Sequence, residues 1–184
     1  MEIQRLFSTP ERIKVLRYVL ENPSKEFGVR KLSRRLGLSP GHTSRVLKTL
    51  SEYDIIVESK VDLGNPFTRI LKVLFNIQKL REIDCVERAK SFINGLKGIG
   101  VYGSWANGTN YEESDLDIWI KAKKAIKERD VAMLNSYLLK NLDVEVSILT
   151  LWPEKIEKLK EDKVFYHSLV FGSIILWGEG IGQS

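Results

Sequence analysis

The chain reads as a two-domain α/β (α+β) protein, a helical, basic N-terminal domain followed by a mixed-sheet domain. Three observations carry that expectation. The first is charge: residues 1–75 hold 14 Lys and Arg against 8 Asp and Glu, whereas the remaining residues hold 15 against 16. The second is a change of hydrophobic period. Helical spacing dominates the first part, and the clean alternation of Leu142, Val144, Val146 and Ile148 falls in the second. The third is a Gly103-Ser104 pair set between two apolar runs and followed by Asp115-Leu116-Asp117.

The 184 residues are 43% hydrophobic, enough for packed cores and too many for a disordered chain. The N-terminal residues lack the apolar run of a secretory signal, and no apolar stretch approaches a membrane span. Cys85 is the single cysteine, which excludes a disulfide framework and a cysteine-based zinc site, and it falls on the apolar side of a helical segment as a small core residue. A cytoplasmic protein with no membrane partner is expected.

Within residues 1–75, Thr9-Pro10-Glu11 starts a helix in which Ile13, Leu16, Val19 and Leu20 recur until Asn22-Pro23. Val29, Leu32 and Leu36 mark a second helix ended by Gly37. Ser39 then caps a third, whose buried stripe is Thr43, Val46, Leu47, Leu50 and Tyr53. Two helices joined by so tight a turn form a helix-turn-helix unit. On the third helix His42, Ser44, Arg45 and Lys48 share the outward face that would enter a DNA major groove. Arg30, Lys31, Arg34 and Arg35 stand where phosphates would pass. Ile55–Val61 and Thr68–Phe75 read as two strands around the turn Asp62–Pro66. The whole resembles the winged helix-turn-helix of small prokaryotic transcription regulators, which implies DNA as a partner. Residues 76–95 read as a connecting helix.

From residue 96 onward the pattern is strand, short helix, strand, helix, strand, helix, strand. Asp115 and Asp117, two apart on a strand, point from one face. Like charges held that close favour a cation between them, and an all-oxygen set favours Mg²⁺ or Mn²⁺. A third carboxylate can come from Asp143 or Glu145 on a neighbouring strand, with Glu145 in the more central position. Gly103 permits close backbone approach to a ligand, and Ser104 opens a helical turn. Lys121, Lys123, Lys124 and Lys127 read as a solvated helix start.

Gly-Ser, ten residues, then Asp-x-Asp is similar to the signature of the minimal nucleotidyltransferases, relatives of the DNA polymerase β palm. Ala106, Gly108, Thr109 and Ser114 resemble the usual filling. The resemblance covers residues 96–184 and implies Gly103 and Ser104 at the triphosphate of an ATP substrate. It implies Asp115, Asp117 and Glu145 as catalytic and metal-holding residues, and transfer of AMP to a hydroxyl. Many relatives carry Arg after the Gly-Ser; here the residue is Trp105. Such enzymes often serve as antitoxins that modify a HEPN-type toxin, which implies a partner protein, or a second copy of the chain, as acceptor. The alternative is a DNA-binding regulator whose nucleotidyltransferase domain senses nucleotide without turnover.

Overall fold

The computed structural model describes residues 2–183 and divides into two compact units, the first ending at Phe75 and the second starting at Asn76. In the first, a short helix α1 (Gln4–Phe7) precedes α2 (Pro10–Glu21). Thr9 Oγ1 accepts from the Arg12 N–H at 3.3 Å, and Pro10 fills the first helical position, where no N–H is missed. Helix α3 (Val29–Leu36) ends on left-handed Gly37, and three residues later α4 (Pro40–Glu52) begins, with Ser39 Oγ accepting from the His42 N–H at 3.2 Å. Val15, Leu16, Val19 and Leu20 of α2, Leu32 and Leu36 of α3, and Val46 and Leu50 of α4 close a common core. The three helices lie where the hydrophobic spacing puts them.

The region after α4 departs from the expectation of a two-stranded wing. Ile55–Val61 is not one strand. It contains a whole hairpin, β1 (Ile56–Val57) and β2 (Lys60–Val61), turning on Glu58 and Ser59, both at positive φ. Thr68–Phe75 is helical and belongs to α5 (Pro66–Glu82). The reason is local. Asn65 Oδ1 accepts from the Phe67 N–H at 2.9 Å and Asn65 O from the Arg69 N–H, so Asn65-Pro66 acts as a helix start rather than a turn. Tertiary burial agrees, since Thr68, Leu71, Lys72 and Phe75 are all buried, a helical spacing. The connecting segment is correspondingly two helices. The chain breaks at left-handed Asp84 before α6 (Cys85–Phe92).

The second unit is built on a four-stranded mixed sheet in the order β5-β4-β3-β6. β3 (Leu96–Tyr102) runs antiparallel to both β4 (Leu116–Ala122) and β6 (Ile174–Gly178), and β4 is parallel to β5 (Val146–Leu151). A five-residue helix α7 (Gly103–Asn107) follows β3, and α8 (Glu128–Leu142) crosses from β4 to β5. Ile99, Val101, Ile118 and Ile120 face one core with Leu80, Ala89, Leu134 and Leu138. Cys85 lies in it, and burial pushes its thiol up to about 12, as befits a packing residue. On the other face Trp119 packs with Leu151, Ile156, Leu169 and Ile181, beneath α9 (Pro153–Leu159) and α10 (Lys163–Phe171). Gly100 makes that ring possible: a Cβ there would lie 2.4 Å from Trp119 Cζ2.

Two further elements differ from the expected ones. The third strand starts at Val146, not Leu142, because Leu142 completes α8 and Asp143 takes its left-handed cap at φ 57°. The final helix is two, α9 and α10, parted by Lys160–Asp162. Among the described residues no helix is long and apolar enough to cross a membrane.

Candidate active site

The sheet brings together what lies far apart in sequence. Tyr102, the last residue of β3, pairs across the antiparallel ladder with Asp117 of β4, so the turn leaving β3 stands directly over the Asp-Leu-Asp segment. Gly103 takes φ +66°, and a Cβ on it would lie 2.5 Å from Asp117 Oδ2. Only glycine fits on both counts, steric and conformational. Ser104 follows, half-buried, near the start of α7.

Asp117 is half-buried, and Asp115 just before β4 is exposed. Burial, and then the neighbouring Asp115 charge, raises the Asp117 carboxyl above its ordinary value. The same pair explains the Tyr102 phenol, pushed up by its own burial and by Asp117. A site that makes a carboxylate reluctant to ionise is one where a cation would be welcome.

In the parallel ladder Leu116 lies opposite Val146 and Asp117 opposite Ser147, and the Leu116 N–H donates to Glu145 O at 2.8 Å. Asp115 and Glu145 immediately precede the first pair of that ladder. Asp143, held in the helix cap, is out of the ladder. Among the described residues no three His, Cys, Asp or Glu side chains converge as a ready-made metal cage. Asp115 and Asp117 are an all-oxygen carboxylate pair, the donor type a hard divalent ion favours.

Trp105 is buried, and its Nε1 donates to Ser114 O at 3.3 Å. It is a structural ring, and it offers no cation to a phosphate. The buried amides Asn76 and Asn110 belong to no sequence motif. Asn76 Nδ2 donates to Trp105 O and to Asn110 Oδ1, each at 2.9 Å. A polar residue on the apolar stripe of α5 was the available signal. Lys121 also differs from expectation. It is a β4 residue, 7% exposed, ion-paired to Glu179 at 3.2 Å and donating to Gly180 O and Gln183 O. At the strand's far end from Asp117, it anchors the segment after β6.

In the first unit Arg30, Lys31, Arg34 and Arg35 are all exposed on α3. With Lys25, Tyr18 and Phe27 they line a groove of about 830 Å³. Ser44, Arg45 and Lys48 are exposed on α4. His42 is half-buried with Nε2 enclosed and without a hydrogen-bond partner, so that atom is turned away from any ligand on the outer face.

These features define a class. Residues 83–170 match the nucleotidyltransferase domain family. No curated protein sequence matches the chain. Among solved structures it is similar to a toxin–antitoxin complex with AMP-PNP (23% identity, 56% of this chain and 74% of that one, TM-score 0.43). It is also similar to a complex of tri-AMPylated Shewanella oneidensis HEPN toxin with MNT antitoxin (22%, 60% and 73%, TM-score 0.35). A Sulfolobus solfataricus protein proposed as a nucleotidyltransferase is a further likeness (22%, 64% and 93%, TM-score 0.36).

Proposed function

We propose that the chain is a Mg²⁺-dependent nucleotidyltransferase that moves AMP from ATP to a hydroxyl of a partner protein, and that its first unit binds DNA. The observation that carries the enzymatic reading is the 2.5 Å approach of the Gly103 Cβ position to Asp117, which joins the Gly-Ser turn and the carboxylate pair in one site. The nucleotidyltransferase domain match over residues 83–170 supports the same chemistry.

In this reading Gly103 and Ser104 hold the β- and γ-phosphates, the first by letting backbone approach and the second through its hydroxyl and N–H. Asp115 and Asp117 would hold the metal. Bound there, Mg²⁺ (or Mn²⁺) would neutralise triphosphate charge and polarise the phosphoryl oxygens. Glu145 takes the proton of the acceptor hydroxyl. The acceptor oxygen bonds to the α-phosphorus, the α–β bridging bond breaks, and pyrophosphate leaves. The catalysis is positioning and charge compensation. The partner-protein acceptor, of HEPN-toxin type, rests on resemblance to antitoxin nucleotidyltransferases.

The DNA reading rests on α3 and α4, two helices joined by a three-residue turn that expose Arg30, Lys31, Arg34, Arg35, Arg45 and Lys48. One observation favours a second reading, a nucleotide-sensing regulator without turnover. Trp105 stands, buried, where an Arg would grip the triphosphate.

Incubation with α-labelled ATP, Mg²⁺ and the product of the neighbouring gene separates the two. Label on the acceptor, absent with Asp117→Asn, is the expected result. ATP binding with no label on any protein would establish the sensor instead.

A further inference from the structure

The turn that carries Gly103 and Ser104 belongs to a helix of five residues, too short to hold its own position. Its support comes from side chains. Asn76 of α5 and Asn110 of the loop after α7 are 8% and 5% exposed. Both amide hydrogens of Asn76 Nδ2 are committed. One goes to Trp105 O, a carbonyl near the end of α7 with no helical turn left to serve it, and the other to Asn110 Oδ1. The loop is then tied at its far end. Trp105 Nε1 donates to Ser114 O, and the Tyr111 N–H donates to Ser114 Oγ at 2.8 Å. Asp115 is the next residue. The loop between the Gly-Ser turn and the carboxylate pair is thus held at Trp105 and Asn110 by Asn76 and at Ser114 by the Trp105 indole.

A buried Asn costs free energy unless its hydrogen bonds repay the desolvation, and a Leu at position 76 would join the apolar face of Ile77, Leu80 and Ile83 with no such cost. What Asn76 adds that Leu could not is direction: it fixes α7 against the loop. The required accuracy is set by the close Gly103–Asp117 approach, since misplaced groups at a reacting centre are costly.

We infer that Asn76 and Asn110 form a buried amide clamp that positions the Gly103–Ser104 turn over Asp117 for a nucleoside triphosphate. They are positioning residues and touch no ligand. The inference rests on the nucleotide reading above and adds to it the residues that set the geometry.

The test measures Kd for MgATP and for Mg-tripolyphosphate by calorimetry, together with Tm, on Asn76→Leu, Asn110→Ala and the double variant. Leu138→Ala, which empties core volume on α8, calibrates how much affinity falls through lost stability alone. Each clamp variant should bind both probes roughly ten-fold more weakly, the scale of one unsatisfied buried group. The double variant should be little worse than either single one, because the two share one hydrogen bond. Leu138→Ala should lose a similar Tm with near wild-type Kd. Should Asn76→Leu prove poorly folded, Asn110→Ala, in a loop, reads the same coupling. Wild-type affinity in the clamp variants, or losses matching Leu138→Ala at equal Tm, overturns the clamp while the nucleotide reading stands. Wild-type protein that binds neither probe overturns the nucleotide reading and the clamp together.

Discussion

Gly103 and Asp117 are fitted to each other: a methyl group on the first would lie 2.5 Å from Oδ2 of the second. The relationship ties a turn at the end of one strand to a carboxylate on its neighbour, and it makes position 103 sensitive to the smallest possible change. Gly103→Ala meets two penalties, a φ of +66° that alanine resists and a contact with a half-buried carboxylate. We expect a stability loss of about 1–3 kcal/mol by chemical denaturation. MgATP affinity should fall at least about ten-fold, since the turn must move away from Asp117. An alanine variant with unchanged affinity would separate the turn from the site.

Asp117 gives the pH dependence. Its carboxyl is raised by burial and by Asp115, so between its ordinary value near 3.8 and the raised one the folded protein holds more proton than the unfolded chain. Stability from this group therefore falls as pH rises through that window and is level above it. A divalent ion reverses the trend, because it favours the ionised form. Thermal unfolding from about pH 4 to 7 should show Mg²⁺ stabilising the wild type increasingly as pH rises. Asp117→Asn should remove both the Mg²⁺ effect and this group's acid-side slope. A Mg²⁺ shift that survives in Asp117→Asn would place the ion elsewhere.

The basic helices predict a salt signature. Arg30→Ala with Arg34→Ala on α3, and Arg45→Ala with Lys48→Ala on α4, each remove two exposed cations. If α3 meets phosphates, the first pair should weaken binding of all duplexes alike and lower the slope of log K against log salt by about two. If α4 enters the groove, the second pair should in addition reduce preference among sequences. His42→Ala should change neither, since its Nε2 is enclosed. Fluorescence anisotropy with duplexes across a salt series reads all three. Unchanged affinity in both double variants would end the DNA reading.

How far the sequence could be read follows from where local and tertiary signals agree. The three N-terminal helices carry matching caps, spacing and stops, and Thr9, Gly37 and Ser39 do what their residue types favour. The Gly-Ser and Asp-x-Asp motifs lie on the strand ends that their spacing implied. Asp143 and Leu142 misled because alternation continued backwards into a helix cap, and a left-handed Asp leaves no mark in a hydrophobic pattern. Asn76, Asn110 and Lys121 were hidden for a different reason. Their roles depend on partners 29 to 62 positions away, which only the fold reveals. Asn65-Pro66 was the hardest, being equally good as a turn and as a helix start.

That ambiguity makes α5 the sharpest test of the architecture. Ile70 is 67% exposed and lies in the body of the helix, where its N–H bonds backwards along the chain. Ile70→Pro would remove that bond and drive its ring into the preceding turn, at a cost of about 3 kcal/mol or more. On an exposed edge strand, which is what a wing would be, the same change is tolerated far better. Asn65→Ala should cost about 1 kcal/mol through loss of the bond to the Phe67 N–H. Ile70→Ala is the control for the lost side chain, and at so exposed a position it should be nearly neutral. Urea unfolding followed by circular dichroism gives all three values. A proline variant as stable as Ile70→Ala would restore the wing.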